Sequence, residues 1–227
     1  YIESEVLAVR SAVGVCEIAN FSKHEFTGPN ARKYLDFILA GRIPKPGRIS
    51  LNPMITKKGK LYGDLTVACL NEEKFMIFGS GAVQEMHRRW FEKHLPSTGV
   101  RYKNRSDDYH GLAISGPESR KLISKISRED FSNEAFKFRD TRETFVGGVP
   151  VILNRISFTG ELGYEIYTAP QFQIKLFEEI ENNGKDLGLK VFGGRALMSM
   201  RLEKNWGAWT LDFRPDFTAA ESGLDFF

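Results

Sequence analysis

The stretch Ile156-Ser157-Phe158-Thr159-Gly160-Glu161-Leu162-Gly163-Tyr164-Glu165-Ile166-Tyr167 constrains the fold more than any other part of the chain. Two apolar, aromatic-rich segments flank Thr-Gly-Glu-Leu-Gly, which predicts a strand, a tight turn and a second strand within a hairpin over 150–168. Glu161, between two glycines at this turn, is well placed to offer two acceptor oxygens to a flat heterocycle with adjacent N–H donors. On these residues alone, a turn glutamate that simply faces water is the alternative.

Composition limits the classes of protein that this chain can represent. The 227 residues fit one large domain or two packed units, and a 41% hydrophobic and 12% aromatic content supports a sizeable core. A net charge of +3 is too small for a nucleic-acid-binding stripe but suits an acidic small molecule. Cys16 and Cys69 lie in apparent strands, which indicates buried free thiols in a reducing compartment.

Other classes of site and segment are missing from the sequence. No histidine or cysteine spacing typical of a metal site occurs, so we expect no metal. No apolar run approaches the roughly 18 residues that span a membrane, so we expect no membrane partner. The chain begins at Tyr1 and ends where a strand is starting, so we expect a segment of a longer protein.

Two segments of the chain share a strand, a Gly-Pro pair and a helix. The pairs are Gly28-Pro29 and Gly116-Pro117, and proline suits the first position of a helix. Chance similarity of common strand–turn–helix chemistry is the alternative. We predict an α+β fold of two related strand–helix halves packed together, with approximate halves at 1–107 and 108–227.

The remaining elements follow from periodicity and turn signals. Helices are predicted near 4–13, 30–40, 82–95, 171–183 and 193–204, with an irregular region over 128–143. Strands are predicted near 15–27, 74–78, 100–105 and 110–115, with a hairpin over 52–69 that turns at Lys58-Gly59.

Asp64 is the first candidate for chemistry, because it follows Gly63 inside an otherwise apolar strand. Alternation along the strand places Asp64 on the face opposite Leu65 and Val67. That face is either the wet side of the sheet or the site of a carboxylate that stabilises positive charge or steers a proton.

Two further motifs provide weaker candidates. Phe78-Gly79-Ser80-Gly81-Ala82 joins a strand to a helix, where open backbone N–H groups can meet a ligand oxygen, although a plain helix entry is the better interpretation. The chain has no G-x-G-x-x-G and therefore no dinucleotide-binding fingerprint. Arg195, in the first turn of the helix near 193–204, is placed to reach an anionic ligand tail, whereas Arg201 is assigned to structural ion pairing.

Taken together, these motifs resemble the folate-binding aminomethyltransferase family, which includes the glycine-cleavage T-protein. The resemblance rests on Leu61–Val67, Phe158–Ile166 and Met198–Glu203, in the family's order, and covers nearly all of the chain. Within the family, the match is better to the C-terminal half of dimethylglycine and sarcosine dehydrogenases. The residues that carry this finer match are Gly47–Met54, Phe78–Gly81 and Gly193–Ser199.

The resemblance implies a T-protein-like fold in which residues 1–227 form a folate-binding aminomethyltransferase domain and the C-terminal barrel is largely absent. It implies transfer of a methylene unit from an iminium or aminomethyl intermediate to tetrahydrofolate, with FAD only on a separate domain of the same full-length protein. It implies a cytoplasmic location, or the mitochondrial matrix in a eukaryote. The implied catalytic residue is Asp64, and the implied folate contacts are Glu161, Tyr164, Ser80, Arg195 and Phe226.

The chain departs from the T-protein pattern in three places. Gly63 stands where the T-protein has the first aspartate of a pair, Leu197 stands at an arginine position, and Phe226 stands near a tryptophan position. Two other functions stay open: a flavin-independent, folate-dependent demethylase, and a non-catalytic folate-binding protein of the iron–sulfur maintenance type. The amine substrate is not predictable, because the flavin domain would select it.

Overall fold

The computed structural model describes residues 1–224, which form two compact units. The first unit combines residues 1–19 with 107–206, and the second combines residues 20–106 with the segment from 207 onward. Each unit therefore consists of two stretches of sequence, whereas the sequence predicted contiguous halves at 1–107 and 108–227. The N-terminal segment belongs to the first unit because its strand pairs within that unit's sheet. The final segment belongs to the second unit, where Leu61 N–H donates to Phe217 O at 2.8 Å.

The helices of the described residues are α1 (Ile2–Ser11), α2 (Ala31–Ile38), α3 (Gln84–His94), α4 (Ser119–Lys125), α5 (Gln173–Gly184) and α6 (Gly194–Glu203). The strands are β1 (Gly14–Glu17), β2 (Phe21–Thr27), β3 (Arg48–Ile55), β4 (Leu61–Asn71), β5 (Lys74–Ser80), β6 (Arg101–Asn104), β7 (His110–Ser115), β8 (Thr141–Val146), β9 (Val149–Asn154), β10 (Gly163–Thr168) and β11 (Lys190–Val191). No closed barrel occurs among these elements. The predicted α+β class is confirmed.

The first unit is built on a six-stranded sheet with the order β11-β1-β7-β10-β9-β8, antiparallel except for the β1–β11 pair. Alternate residues of its strands pack into a core with α4 and α5, in which Ile114, Leu153, Tyr164 and Ile166 are fully buried. A smaller cluster joins α1 and α6 through Val9, Ala196 and Met200. The opposite face of the central strands is therefore left for polar side chains such as Glu165.

The second unit is built on a five-stranded antiparallel sheet with the order β3-β4-β5-β2-β6. Leu65, Val67 and Cys69 of β4 face a core that α2 and α3 cover. Asp64 alternates with these residues and lies on the other face, as the sequence predicted. The segment after residue 207 adds Trp209 and Phe213 to a separate cluster around Leu61.

The two Gly-Pro motifs adopt the same local structure. Gly28 and Gly116 have φ values of +120° and +131°, a region that strongly favours glycine. Each glycine carbonyl accepts a hydrogen bond of 3.0 Å from the N–H three residues later, on Ala31 and Ser119 respectively. Each helix begins two residues after the proline instead of at it, because the proline forms part of the entering turn.

Two of the predicted strand arrangements differ from the structure. The strand predicted over 15–27 is two strands, β1 and β2, because a turn at Ala19-Asn20 carries the chain from one sheet to the other. The predicted tight turn is wrong: β9 ends at Asn154 and β10 begins at Gly163, so residues 155–162 form a broad loop. Ile156–Phe158 are not a strand, because hydroxyl and backbone groups within the loop bond to each other.

We expect Gly116→Ala to lower the free energy of unfolding by about 1–3 kcal/mol. A methyl group at this φ would lie 2.4 Å from the carbonyl oxygen of Ala12, so both the backbone conformation and the space oppose it. Gly194→Ala is the matched control, because no atom lies within 4 Å and α6 gains a better helix former. Urea unfolding followed by circular dichroism measures both variants, and equal stability of the two would contradict the prediction.

Candidate functional site

Glu161 lies in the ordered loop that joins β9 to β10. Ser157 Oγ and Thr159 Oγ1 are 2.8 Å apart, and Thr159 Oγ1 accepts the N–H of Glu161 at 3.3 Å. Gly160, at φ +79°, lets the aliphatic stem of Lys204 lie directly against the loop backbone. These contacts fix the backbone on both sides of the Glu161 carboxylate.

The carboxylate of Glu161 already has a cationic partner. Arg10 of α1 donates to Glu161 Oε1 at 2.7 Å, to Thr159 O at 2.8 Å and to Glu203 at 2.6 Å. Burial opposes the charge on Arg10, but its hydrogen bonds to Glu203 and Glu161 prevail and raise the pKa of the guanidinium. Since Arg10 compensates the charge of Glu161, this carboxylate has less to gain from the N–H donors of a ligand.

An open cleft of about 130 Å³ adjoins this loop, which is smaller than the ~300–1,000 Å³ typical of small-molecule sites. Its lining consists of Phe138, Arg155, Ile156, Ser157, Gly160, Glu161, Leu162, Gly163 and Trp206. Phe138 and Trp206 expose 60% and 41% of their surface, so two aromatic rings are accessible beside Glu161. The sequence analysis did not assign Phe138 or Arg155 to a site, because Phe138 lies in the region predicted to be irregular and Arg155 in the predicted hairpin.

Tyr164 lies in the core of the first unit. Its side chain is fully buried, its ring stacks on Phe136 with centroids 6.2 Å apart, and Phe131 meets its edge. Burial raises the pKa of its hydroxyl. Tyr164 therefore packs beneath the helices of the unit, on the face opposite Glu165, and the structure does not bring it together with Glu161.

Glu165 is a candidate site residue that the sequence analysis did not single out. It lies on β10, a central strand of the sheet, and its side chain is half-buried on the face away from the helix-covered core. Burial raises the pKa of Glu165 to about 7, although the hydroxyl of Tyr167 donates to its Oε2 at 2.9 Å and favours the charged form. The motif contained a signal for Glu165. Successive residues of a strand point to opposite faces, so if Tyr164 faces the core, Glu165 faces away from it.

Asn154 lies directly across from Glu165 in the β9–β10 ladder and therefore shares its face of the sheet. Its side chain is fully buried, and Thr141 Oγ1 donates to its Oδ1 at 2.7 Å. Its Nδ2 has no hydrogen-bond partner among residues 1–224. A buried amide donor without an acceptor is costly, and here it lies beside a carboxylate that is easily protonated.

In the second unit, Asp64 occupies a position similar to that of Glu165 in the first. It pairs across from Pro53, is half-buried, and lies on the face opposite the core of its sheet. Burial raises the pKa of Asp64 to about 7, although a hydrogen bond with a backbone N–H favours its charged form. A carboxyl group with this pKa can hold or release a proton near neutral pH.

Ser80 lies on the same face of the second sheet as Asp64. The register pairs Thr66 with Phe78, and Asp64 and Ser80 each lie two residues from that pair on the two strands. Ser80 ends β5 and is paired across from Phe21. The fully buried Lys23, paired across from Phe78, belongs to this face too, and the sequence analysis did not identify it.

The other two predicted ligand contacts lie elsewhere. Arg195 is exposed in the first turn of α6, at the opposite end of that helix from Glu203, about 12 Å along the axis. It makes no hydrogen bond or ion pair within the described part of the chain, so the structure does not bring it together with Glu161. Phe226 lies outside the described residues.

Residues 1–224 contain neither a metal-binding cluster nor a helix that could cross a membrane. No group of three or more histidine, cysteine, aspartate or glutamate side chains is arranged to hold a metal ion. None of the described helices combines the length and apolar character needed to cross a membrane. Cys16 and Cys69 are buried free thiols, as predicted.

The sequence model of the family described as the GCVT N-terminal domain matches residues 1–227, the whole of the chain. The chain belongs to the GCVT N-terminal domain family. The predicted family resemblance is therefore confirmed.

Relatives of this GCVT N-terminal domain include both long and short proteins. Human mitochondrial dimethylglycine dehydrogenase is 35% identical over 229 residues, which cover 100% of this chain and 26% of the relative. The aminomethyltransferase of Natranaerobius thermophilus is 29% identical over 229 residues, which cover 100% of this chain and 62% of the relative. The chain thus spans about a quarter of the first protein and about three fifths of the second.

The fold of this GCVT N-terminal domain matches a solved structure. The glycine cleavage system aminomethyltransferase T from Bartonella henselae superposes with a TM-score of 0.87 over 99% of this chain and 60% of that one. The sequence identity is 21%, so the match establishes a common fold. The predicted T-protein-like fold is confirmed.

We expect Tyr167→Phe to raise the pKa of Glu165 above its present value of about 7. The Tyr167 hydroxyl donates to the carboxylate, so its removal disfavours the charged form and moves the titration to higher pH. Carboxyl ¹³C NMR across pH 5–9 measures the midpoint. Tyr34→Phe is the control, because that hydroxyl donates to the carbonyl of Phe91, and an unchanged Glu165 midpoint in Tyr167→Phe would contradict the prediction.

Proposed function

We propose that this chain binds tetrahydrofolate and transfers a one-carbon unit at the methylene level to it. The family is a folate-dependent aminomethyltransferase family, which supports the reaction class. The observation that carries the proposal is the polar patch of Glu165, Tyr167 and Asn154 on the face of the first sheet opposite its core with α4 and α5. We further propose that the domain belongs to a dimethylglycine or sarcosine dehydrogenase-like protein, because of its likeness to the human dehydrogenase.

The patch fits the edge of a reduced pterin. That edge presents an N3–H and a 2-amino group as adjacent donors, next to the O4 carbonyl as an acceptor. A carboxylate at Glu165 can accept both donors, and the unpartnered Nδ2 of Asn154 supplies a donor for O4. We therefore assign the pterin to Glu165 in place of Glu161, whose carboxylate pairs with Arg10.

The raised pKa of Glu165 makes folate binding dependent on pH. Only the ionised carboxylate accepts two N–H donors, so the ligand favours that form. Below a pH of about 7 the carboxyl group is increasingly protonated before binding. The affinity should therefore fall as pH drops through this value, approaching tenfold per pH unit.

Asp64 is proposed to act on the one-carbon unit. When bound, tetrahydrofolate supplies the nucleophilic nitrogens N5 and N10 that receive the carbon. The Asp64 carboxylate stabilises the cationic iminium donor, and its pKa of about 7 allows it to hold the proton that the attacking amine loses. Enclosure of the iminium also matters, because water would convert it to formaldehyde.

The source of the iminium donor and the cellular compartment of the protein are proposed from the likeness to the human dehydrogenase. A flavin domain of the same full-length protein would generate the iminium by oxidising an N-methyl amine, as the name of the human relative suggests. We propose the mitochondrial matrix as the compartment in a eukaryotic source, by analogy with that mitochondrial relative, and the cytoplasm otherwise.

Anaerobic titration calorimetry with tetrahydrofolate tests the assignment of the pterin. At pH 8 we expect Glu165→Gln to weaken binding by about 10–100-fold, the value of a charged hydrogen bond of roughly 1.5–3 kcal/mol. Glu161→Gln is the matched control and should change the affinity less than threefold. A loss confined to Glu161→Gln would return the pterin to Glu161, and a folded wild type that binds no folate would contradict the proposed function.

Product analysis tests the role of Asp64. We expect Asp64→Asn to reduce methylene transfer by about 10²–10⁴-fold, because the amide carries no charge and takes no proton at neutral pH. Formaldehyde should replace 5,10-methylenetetrahydrofolate when the full-length protein oxidises an N-methyl amine. Unchanged coupling would remove Asp64 from the mechanism, and formation of 5-methyltetrahydrofolate would favour the demethylase instead.

A further inference from the structure

His87 of α3 is the buried histidine closest in structure to the backbone that carries Asp64. A methyl group at Gly63 would lie 2.9 Å from His87 Nε2, and one at Gly79 would lie 3.3 Å from its Nδ1. The two glycines therefore let the imidazole rest directly on the backbones of β4 and β5. Trp209 meets the ring at a centroid distance of 6.1 Å, and the side chain is fully buried.

The strand beneath His87 contains an irregularity just before Asp64. Asp64 pairs with Pro53 and Gly63 with Met54, but Ile55 then pairs with Leu61. Tyr62 is thus an extra residue with no register partner on β3, and the pairing of β4 with β5 begins only at Thr66. Bulges of this kind bend a strand and re-aim the side chains beside them.

His87 provides the hydrogen bond that the bulge needs. Its Nε2 lies 3.1 Å from the carbonyl oxygen of Tyr62, and since a carbonyl oxygen can only accept, Nε2 must carry the proton. Burial lowers the pKa of His87 to about 4, so the ring is neutral and keeps this single tautomer at physiological pH. The other nitrogen, Nδ1, has no hydrogen-bond partner among the described residues, so the bond to Tyr62 O is the hydrogen bond of the ring in the described part of the chain.

We propose that His87 is a positioning residue for Asp64: by donating to Tyr62 O it fixes the bulge that aims the Asp64 carboxylate away from the core. The inference rests on the role proposed above for Asp64. Its physical basis is that Gly63 and Asp64 pair with β3 but not with β5, because the pairing of β4 with β5 begins only at Thr66. A displacement of about 1 Å in a reacting group can cost roughly 10²-fold in rate, so loss of this bond should affect transfer without any change in folate contacts.

The test compares His87→Leu, which cannot donate, with His87→Gln, whose amide can, both in the full-length protein. We expect amide hydrogen exchange in the peptide covering 60–66 to accelerate at least about tenfold in His87→Leu. Methylene transfer should fall by about 10–100-fold with tetrahydrofolate affinity unchanged. His87→Gln should recover most of both properties. If His87→Leu does not fold, His87→Asn replaces it, since its shorter amide cannot reach Tyr62 O.

His94→Leu is the matched control, because it removes another histidine-to-carbonyl hydrogen bond of α3, the 2.9 Å contact with Trp90 O, away from the bulge. Normal exchange over 60–66 in His87→Leu, or no recovery in His87→Gln, would overturn the inference. Asp64→Asn, assayed alongside, separates two kinds of failure. If it abolishes transfer while His87→Leu does not, only the role of His87 is wrong, whereas unchanged transfer in Asp64→Asn means that the proposed function of Asp64 fails.

Discussion

The alternation of side chains along β4 and β10 is the constraint on which the rest of this protein depends. Each strand buries one set of residues beneath helices, with Leu65 and Val67 on β4 and Tyr164 and Ile166 on β10. Each buried apolar side chain contributes about 1.5–3 kcal/mol, and several of them lie on the same face of each strand. The apolar face therefore sets the register, and the carboxylates occupy the other face.

This constraint gives the two units similar chemical features. Each unit enters a helix through a Gly-Pro turn with the same glycine conformation, and each has one half-buried carboxyl group on the face of its sheet opposite the helix-covered core. Burial brings the pKa of Asp64 and of Glu165 to about 7. A carboxyl group in this range can bind as an anion or hold a proton, which suits a reaction that handles both a cationic donor and N–H groups.

The surroundings of each carboxylate then separate their roles. Glu165 has a donor hydroxyl from Tyr167 and lies across from the buried amide of Asn154, so its environment is built for hydrogen-bonded recognition. Asp64 follows a bulge that the neutral His87 fixes, so its environment determines where its carboxylate points. Glu161 differs from both, because Arg10 joins it to Glu203 and ties the loop to α1 and the end of α6.

The sequence by itself determined the α+β class, the family, most helices and strands to within a few residues, and that Asp64 lies on the face of its strand opposite Leu65 and Val67. These features depend on local periodicity, on Gly-Pro turns and on motifs that are contiguous in the chain. It did not determine which residues of the motif over 156–167 face a ligand, because the assumed tight turn at Glu161 is a broad loop. Only the tertiary structure decided that Arg10 pairs with Glu161, that Tyr164 is core, that Asn154 lies beside Glu165 and that His87 reaches Tyr62. Each of these contacts joins residues on different elements, and pairing or packing between elements is not written in the local pattern of either one.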